Sequence, residues 1–473
     1  MLVDNGVHGD SRVQKVARSA AEAGWDVVLL GLTYGAPVTW RLGGAEVRLL
    51  AMPDPLARAS AVRKAALRVL LRRRVAPAPP PAPAPAPAAP APAAGATVPA
   101  LSVPPPRSAP PTGVRSVVVG ALRRAFRPYD HARTRLWLGL RGERAWRQLD
   151  PSLWDYEDTF GPVVDDLAPD LIHAHDFRMI GVGARAKARA AAAGRQVKLV
   201  WDAHEFLPGI RPRANNARWL PATRAHEREY APYADAVITV SETLADLLIA
   251  EHGLTDRPAI VLNAPAADSG SADAPDLRVS CGIGADVPLL VYSGAAGVQR
   301  GLDIMVEALP RLPEAHVAFV VSAPPNNYVR DLVARAAALG VGDRLHVLPY
   351  VSPDQVVGFL SGADAGVIPI HHWPNHEIAL ITKFFEYAHA RLPMVVSDVR
   401  TMADTVRAAG NGEVFRAKDL DDFVRAVRAV LADPAAYRSA YDKPGLLDTW
   451  TWEAQAEVLD KIYRELLPAG SAS

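Results

Sequence analysis

The chain has 473 residues, 22% of them charged and 49% hydrophobic, and a net charge of +1 at neutral pH. This length allows two or three domains of about 150 residues each, and the near-zero charge argues against a nucleic-acid partner, because proteins that bind polyanions carry a basic field. The single cysteine, Cys281, excludes a disulfide framework and a cysteine-based metal site. Since no apolar run reaches the ~20 residues of a spanning helix and Met1–Gly6 is not a signal segment, we expect a cytoplasmic protein.

Short apolar runs alternate with amphipathic patterns in the first half of the chain. The first strand candidate is Leu2–Val3, so either this strand is stunted or the true start lies upstream of Met1. Helical spacing of apolar residues predicts helices over 13–23 and 241–251. Further strands are predicted at 27–30, 47–50, 171–174, 197–200 and 236–240. Strands that alternate with helices predict a parallel sheet covered by helices on both faces.

The composition changes abruptly between about residues 75 and 113, where Ala and Pro dominate. Alternating Pro excludes helix and sheet pairing and favours polyproline II, so we predict a disordered, semi-rigid insert in the first domain. Its flanks, 55–74 and 113–130, are rich in Arg and carry apolar residues at helical spacing. Basic amphipathic helices bind anionic membrane surfaces, and the alternative is a solvated charged face on an inserted hairpin. A peripheral membrane contact through these flanks is therefore a hypothesis.

A second series of strands and helices follows the linker near Ala264–Pro265. The strands are predicted at 289–292, 317–321, 345–348, 366–369 and 394–396, with helices at 302–309, 329–339 and 423–431. We therefore predict an α/β fold with two doubly wound, Rossmann-like domains, 1–263 and 264–446, followed by a terminal segment, 447–473. In such domains ligands bind beyond the carboxyl ends of the strands, which places the site in the cleft between the two domains.

Three segments carry a resemblance to a known family. They are the start of the first helix, Asp10–Val13, the glycine-containing loop 293–303, and the segment 382–397. In this order and spacing they resemble a GT-B glycosyltransferase of the large retaining family 4 group, over nearly the whole chain except the insert. The resemblance implies the GT-B fold, with a helix after Trp450 that crosses back to the first domain, and a glycosyltransferase activity without a metal.

The candidate donor site lies in the second domain. Arg300 follows Gly294 and precedes Gly301 in a loop that opens a helix, where backbone N–H groups already attract phosphate; the alternative is a surface arginine. Lys383 and Glu386 share one helical face, and such pairs are usually solvated ion pairs. The resemblance implies that Glu386 binds the ribose of a nucleotide-sugar donor and that Arg300, Gly301 and Lys383 belong to the same donor site.

The candidate catalytic and acceptor residues lie in the first domain. His204 follows the apolar run 199–201 and so lies at the carboxyl end of a strand. Its spacing fits a hydrogen-bonded structural histidine equally well, whereas the resemblance implies the catalytic histidine that faces the transferred sugar. His175 and Asp176, at the preceding strand end, are acceptor-side candidates. Gly9 matches a donor-site glycine that lets backbone amides approach the diphosphate.

The segment 371–377 contains three histidines, which invites a metal interpretation. Pro374 breaks the helical geometry that two ligands four residues apart would need, so we expect a polar loop that hydrogen-bonds the sugar and no metal. Glu377 in this loop is assigned to the donor site. Backbone groups near Val351 are assigned to the nucleotide base.

Two positions depart from the family pattern. Ile378 stands where a glutamate often lies eight positions before Glu386, and Gly294 stands where a second basic residue often precedes Arg300. The resemblance implies transfer of a sugar from a UDP- or GDP-sugar to an acceptor hydroxyl, with retention and without a cofactor, and the basic flanks favour a lipid-linked acceptor in envelope or glycoconjugate synthesis. The alternatives are a GT-B sugar-nucleotide epimerase, which needs no acceptor, and a non-catalytic GT-B-like subunit, which binds no nucleotide.

Overall fold

A computed structural model of the chain describes residues 1–52, 129–213, 216–267, 273–378 and 380–467. The Ala/Pro-rich insert and nearly all of its basic flanks lie outside these residues, so the predictions made for them stay predictions. Residues 129–141, directly after this gap, are helical. The described residues 1–52 and 137–467 belong to one compact unit.

The first half of the chain forms a sheet in two parts. Its strands are β1 (Val28–Thr33), β2 (Val38–Leu42), β3 (Ala45–Ala51), β4 (Leu171–His175), β5 (Lys198–Asp202), β6 (Ala236–Thr239) and β7 (Ala259–Ile260). The two parts have the orders β1-β3-β2 and β4-β5-β6-β7. Leu2 joins them, because it forms single parallel bridges to Leu30 of β1 and Ala174 of β4. The first strand is thus reduced to a single bridging residue.

Helices cover this sheet. They are α1 (Ser11–Glu22), α2 (Trp146–Leu149), α3 (Trp154–Leu167), α4 (Asp176–Ala192), α5 (Trp219–Tyr230) and α6 (Glu242–His252). The helix α1 begins where the Asp10 side chain accepts a hydrogen bond from the backbone N–H of Val13, which satisfies one of the unpaired donors of the first turn. Its apolar stripe, including Val16 and Ala20, is buried. The cap and the stripe together fix α1 beside the carboxyl edge of the sheet.

The second half forms one parallel sheet. Its strands are β8 (Leu289–Ser293), β9 (His316–Val321), β10 (Leu345–Pro349), β11 (Ala365–Ile368), β12 (Met394–Ser397) and β13 (Gly412–Phe415), in the order β10-β9-β8-β11-β12-β13. The order reverses between β8 and β11, which is the topological switch point where ligands bind in such sheets. The central strands are buried almost throughout.

Ten helices are assigned in the described residues of this half and the terminal segment. They are α7 (Leu277–Cys281), α8 (Asp303–Ala308), α9 (Asn327–Ala338), α10 (Val356–Leu360), α11 (Pro374–Glu377), α12 (Thr382–His389), α13 (Arg400–Ala409), α14 (Leu420–Ala432), α15 (Pro434–Arg438) and α16 (Trp452–Leu466). The last helix, α16, returns to the first sheet: Trp25 Nε1 donates to Asp460 over 2.7 Å, and Tyr463 is buried against α1. This is the crossing helix that the resemblance implies.

The predicted strands and helices are confirmed to within a few residues at each end. The sequence patterns missed β2, which pairs antiparallel with β3, and the short strands β7 and β13. Within the described residues, no helix is both long and apolar enough to cross a lipid bilayer.

Candidate functional site

The carboxyl edge of the first sheet contains a buried ion pair. Arg12 of α1 donates from Nε and Nη2 to the two carboxylate oxygens of Asp202, over 2.7 and 2.9 Å, and from Nη1 to the backbone oxygen of Val261 over 2.8 Å. The Nδ1 atom of His175 lies 3.1 Å from Asp202 Oδ2. Although burial acts to raise it, the pKa of Asp202 lies well below its ordinary range because Arg12 and the neighbouring histidines stabilise the charged form. Asp202 is therefore a fixed anion at the end of β5.

His204 lies between two carboxylates at this edge. Its Nε2 atom is 3.1 Å from Asp176 Oδ1, and its Nδ1 atom is 3.8 Å from Asp202 Oδ1. Burial acts to lower the pKa of His204, but the two carboxylates outweigh burial and raise it to about 10. The side chain is 22% exposed, so an imidazolium is presented at the mouth of the first sheet. Of the predicted residues, His175, Asp176 and His204 are thus brought together.

Asp176 occupies an uncommon backbone conformation, with a φ of 65° at the first position of α4. Its neighbour Arg178 pairs with Asp4, which follows the short first strand. Left-handed backbone at a non-glycine residue costs free energy and persists where the surroundings fix it. Here it directs the Asp176 carboxylate toward His204.

His173, His175 and Asp202 bring ligand-type atoms within 4.8 Å of one another, all of them buried. Arg12 already neutralises Asp202 with two hydrogen bonds, and the hydroxyl of Tyr463 occupies His173 Nδ1 at 2.5 Å. A bound cation would have to compete with the Arg12 guanidinium. The donor set is therefore better suited to an arginine than to a metal.

The second sheet presents a cluster of charged residues at the switch point. Lys383, on α12, is buried, and its Nζ atom lies 3.5 Å from the ring centroid of Tyr292, at the end of β8. Gly294 follows with a φ of 120°, and a Cβ atom there would lie 3.0 Å from Lys383 Nζ. Burial lowers the pKa of Lys383 well below its ordinary range, Arg300 lowers it further, and Glu386 opposes both. An anion at this site would stabilise the charged ammonium.

Arg300 and Gly301 adjoin this cluster. Arg300 ends the short 3₁₀ helix Val298–Arg300, and its guanidinium has no hydrogen-bond partner among the residues that the structure describes. Gly301 has a φ of 68°, and a Cβ atom there would lie 2.1 Å from the backbone oxygen of Pro369, so only glycine fits. The loop therefore holds an available cation beside Lys383.

Glu386 lies one turn after Lys383 on α12. Burial raises the pKa of its carboxyl group, while Lys383 and Lys15 act to lower it. Tyr350 is half-exposed and lies within electrostatic range of Glu386. Val351, next to Tyr350, packs against the core of the second sheet. The Tyr387 hydroxyl accepts a hydrogen bond from the Ser293 N–H over 2.9 Å, which fixes α12 against β8.

The segment 371–378 makes internal contacts that the sequence did not predict. His372 lies between two carboxylates, with Nδ1 2.6 Å from Glu377 Oε1 and Nε2 2.9 Å from Asp398 Oδ1. Glu377 also accepts from the backbone N–H of Arg400 over 2.8 Å, at the start of α13. Glu377 is thus occupied by a helix end and a histidine. Its assignment to the donor stays a prediction.

The same segment also contacts the first half of the chain. Trp373 Nε1 donates to the backbone oxygen of Gly209 over 2.9 Å, and the hydroxyl of Ser241 donates to the backbone oxygen of Ile378. The Ile378 side chain is buried in the core of the first sheet. Because Gly209 lies five residues after His204, this segment connects the edges of the two sheets.

Gly9 is exposed in the loop before α1, and a Cβ atom at this position would have no other atom within 4 Å. Sequence reasoning missed Asp202, Tyr292 and Lys15, all of which contact or electrostatically influence the residues above. Asp202 directly follows the apolar run 199–201, and this position at the end of a predicted strand was the one sequence signal that could have identified it. A cavity of about 300 Å³ opens elsewhere, at the amino ends of β1 and β4 beside Met1, and His204 and Glu386 do not line it.

Comparison with protein families assigns both halves of the chain. Residues 273–445 match the model for "Glycosyl transferases group 1", and residues 75–264 match the model for "Glycosyltransferase Family 4". The two matches together include His204, Arg300, Lys383 and Glu386.

Relatives and solved structures agree with these families. The D-inositol 3-phosphate glycosyltransferase of Geodermatophilus obscurus is 26% identical over 56% of this chain and 59% of its own length. A GDP-mannose-dependent alpha-(1-6)-phosphatidylinositol monomannoside mannosyltransferase of Mycolicibacterium smegmatis is 26% identical over 64% of this chain and 80% of its own length. The chain thus spans less than two thirds of the first relative. The sucrose-phosphate synthase structure from Thermosynechococcus elongatus has the same fold, with a TM-score of 0.64, 15% identity and 99% of both chains covered.

Proposed function

Because this chain belongs to the family 4-like glycosyltransferases of the GT-B fold, we propose that it transfers a sugar from a nucleoside diphosphate donor to an acceptor hydroxyl, with retention. The observation that carries this proposal is the cluster of Arg300, Lys383 and Glu386 at the switch point of the second sheet. Two basic side chains for a diphosphate lie there with one carboxyl group for ribose hydroxyls, which matches the chemistry of such a donor.

We propose the following roles for the site. Arg300 and Lys383 neutralise the diphosphate as it leaves, and Gly301 and Gly9 allow backbone to approach it. The acceptor oxygen bonds to the anomeric carbon while the bond to the diphosphate oxygen breaks, and the hydroxyl proton passes to the departing phosphate. Water exclusion in the cleft strengthens these electrostatic contacts and prevents donor hydrolysis.

The first sheet supplies the other side of the reaction in this proposal. His204, held between Asp176 and Asp202, faces the transferred sugar, and the contact of Trp373 with Gly209 supports this placement by connecting its loop to the donor half. His175 and Asp176 lie on the acceptor side. The backbone near Val351 contacts the base in this proposal. The neighbouring residue Tyr350 lies within electrostatic range of Glu386, the proposed ribose ligand, and so supports this placement.

A UDP- or GDP-sugar is the proposed donor, and the GDP-mannose-dependent relative supports the second of these. We propose a lipid-linked acceptor and no cofactor, and the free thiol of Cys281 supports a cytoplasmic location. The domain division at residues 263 and 446 is proposed from the two sheets and α16.

Thermal unfolding with UDP, GDP, ADP and dTDP tests the donor site. A ligand at about 100 times its Kd adds about 2.7 kcal/mol to the free energy of unfolding, which raises Tm visibly. We expect one nucleotide to stabilise the wild type and the exposed-site control Glu465→Ala, but not Glu386→Ala. If no nucleotide stabilises the wild type, the result would favour a non-catalytic subunit or a site that forms only with the acceptor present.

Turnover with the matching nucleotide sugar separates the remaining alternative. A transferase releases the nucleoside diphosphate only as the acceptor is consumed. An epimerase changes the sugar of the donor with no acceptor present, and that result would overturn the proposed reaction while keeping the donor site.

A further inference from the structure

Lys15 of α1 is a half-buried basic residue that the proposed mechanism does not use. Its Nζ atom donates to Asn263 Oδ1 over 2.8 Å and to the backbone oxygen of Ala264 over 2.5 Å, and it lies 4.8 Å from the ring centroid of Trp452. Asn263 and Ala264 form the linker between the two sheets, and Trp452 begins α16. Lys15 is therefore held where the first half, the linker and the terminal helix meet.

The linker extends this contact to the donor helix. The side-chain amide of Asn263 donates to Thr382 Oγ1 over 3.0 Å, and Thr382 is the first residue of α12. Residues four apart lie on the same face of a helix, so Glu386 projects from the face that Asn263 and Lys15 approach. This chain of contacts thus brings the Lys15 ammonium toward the face of α12 that carries Glu386.

We propose that Lys15 is a positioning residue for ribose recognition, which holds the Glu386 carboxylate in its charged form from across the linker. This inference rests on the proposed function, since it assumes that Glu386 accepts hydrogen bonds from the ribose hydroxyls. A charged carboxylate accepts such bonds more strongly than a neutral acid, and a protonated acid would also present a donor.

The charges around both groups agree with this role. Glu386, Glu453 and Asp10 face Lys15 with opposite charge, and Arg12 faces it with like charge. Burial lowers the pKa of Lys15 to about 7, with Arg12 acting in the same direction and Glu386 opposing.

Glu386 has few other charged neighbours. Burial raises its pKa, and the two cations that act against burial are Lys383 and Lys15. Tyr350 and Tyr387 are also titratable neighbours of Glu386, and their phenolate forms would carry the same negative charge. Because Lys383 is itself buried beside Arg300, the proposal assigns to Lys15 a share in favouring the ionised form of Glu386.

Calorimetric titration from pH 4.5 to 8.5 tests this proposal. The probe is UDP, GDP or ADP, whichever stabilises the wild type, and the 2′,3′-dideoxy form of the same nucleotide. The ratio of the two Kd values isolates ribose recognition, because titration of the diphosphate affects both ligands equally. We expect the Kd of the dideoxy nucleotide to exceed that of the normal nucleotide by about tenfold or more near neutral pH, since hydrogen bonds to charged groups are strong. This difference should be lost on acidification, as Glu386 is protonated.

Removal of the Lys15 charge should move this loss to higher pH. Two variants remove the charge: Lys15→Gln, which keeps an N–H donor, and Lys15→Met. Each should raise the midpoint pH at which the Kd ratio is lost by about one unit, because a nearby opposite charge shifts a pKa by about that much. Lys15→Arg and the exposed control Lys461→Met should keep the wild-type midpoint. A lower affinity with an unchanged midpoint would reduce Lys15 to a structural role and overturn the proposal.

A reciprocal measurement leaves Lys15 intact, in case its variants do not fold. Glu386→Gln should lower the pKa of Lys15, so acetic anhydride should acetylate Lys15 faster at pH 7, as measured by peptide mass spectrometry. An unchanged rate would contradict the proposal. A wild-type Kd ratio near one at every pH would overturn the ribose role of Glu386, whereas failure of every nucleotide to bind would overturn the proposed function itself.

Discussion

Arg12 and Asp202 lie 190 positions apart and form a buried, two-point ion pair. The pair ties α1 to the end of β5, two residues before His204. The third contact of Arg12, with the backbone oxygen of Val261, extends this attachment to the residue that follows β7. The edge that presents His204 therefore depends on a contact between the first helix and the centre of the first sheet.

We expect Arg12→Met to lower the free energy of unfolding by about 3–5 kcal/mol, because it leaves the Asp202 carboxylate buried without its partner. Arg12→Met combined with Asp202→Asn should recover part of this loss. Urea unfolding at pH 7 measures both, with the exposed Arg195→Met as control. A loss below about 1 kcal/mol for Arg12→Met would show that the pair carries little net stability.

The charge of His204 predicts a pH dependence of stability. Its pKa is raised to about 10 in the folded chain, against an ordinary value of 6.5. A group whose pKa is higher in the folded chain than in the unfolded chain stabilises the fold fully at pH values below its unfolded-state pKa. This stabilisation is lost as the pH rises through the folded-state pKa. Burial raises the pKa of the partner Asp176 to about 7, so this carboxyl group is ionised only above that pH. The wild type should therefore exceed His204→Asn in stability most clearly near pH 8, by about 2–3 kcal/mol, and the difference should shrink toward pH 10. A difference that is constant over this range would contradict the charged state of His204.

The spacing of apolar residues and the alternation of predicted strands with predicted helices were enough to predict most of the fold. Buried runs such as 289–292 and 394–396 became strands because their apolar side chains face helices on both sides. The antiparallel strand β2 was missed because it is an edge strand with exposed residues, including Val38, and so has no apolar run.

The candidate site was only partly predictable. Lys383 and Glu386 are three residues apart, and they and Arg300 belong to the segments that carry the family resemblance, so their cluster could be anticipated. The pairing of Arg12 with Asp202 and the approach of Lys15 to α12 depend on the crossing of distant segments, which leaves no local pattern. Glu377 illustrates the reverse case, because its hydrogen bonds with His372 and the Arg400 N–H are visible only in the fold.

Gly294 should be needed for the donor site, whereas Gly297 should not. A Cβ atom at Gly294 would crowd Lys383 Nζ at 3.0 Å, and its φ of 120° disfavours any side chain. Gly297 has extended backbone, and a Cβ atom there would meet only the Gln299 side chain at 3.5 Å. Gly294→Ala should weaken nucleotide binding about tenfold and destabilise the chain by about 1–3 kcal/mol. Calorimetry should find Gly297→Ala close to wild type, and equal effects of the two variants would refute the role of Gly294.

His372 should fix the segment 371–378 while adding little to global stability. It is 53% exposed, and it joins Glu377 to Asp398, which in turn accepts from the Ala417 N–H over 2.9 Å. The hydrogen bond with Glu377 raises the pKa of His372, although burial opposes it, so the contact is complete below pH 6.5 and is lost as pH rises through the raised value.

His372→Ala should therefore speed amide hydrogen exchange at Arg400 and Ala417 by about threefold to tenfold at pH 6, while unfolding free energy changes by less than about 1 kcal/mol, as for other exposed ion pairs. The neighbouring His389→Ala, whose ring bonds the Trp450 backbone oxygen on another face, serves as a matched control for loss of a histidine. Exchange in the wild type should rise toward that of His372→Ala as pH increases, after correction for the intrinsic rate. If the two proteins exchange alike at pH 6, the segment is held by Trp373 and Ile378 rather than by His372.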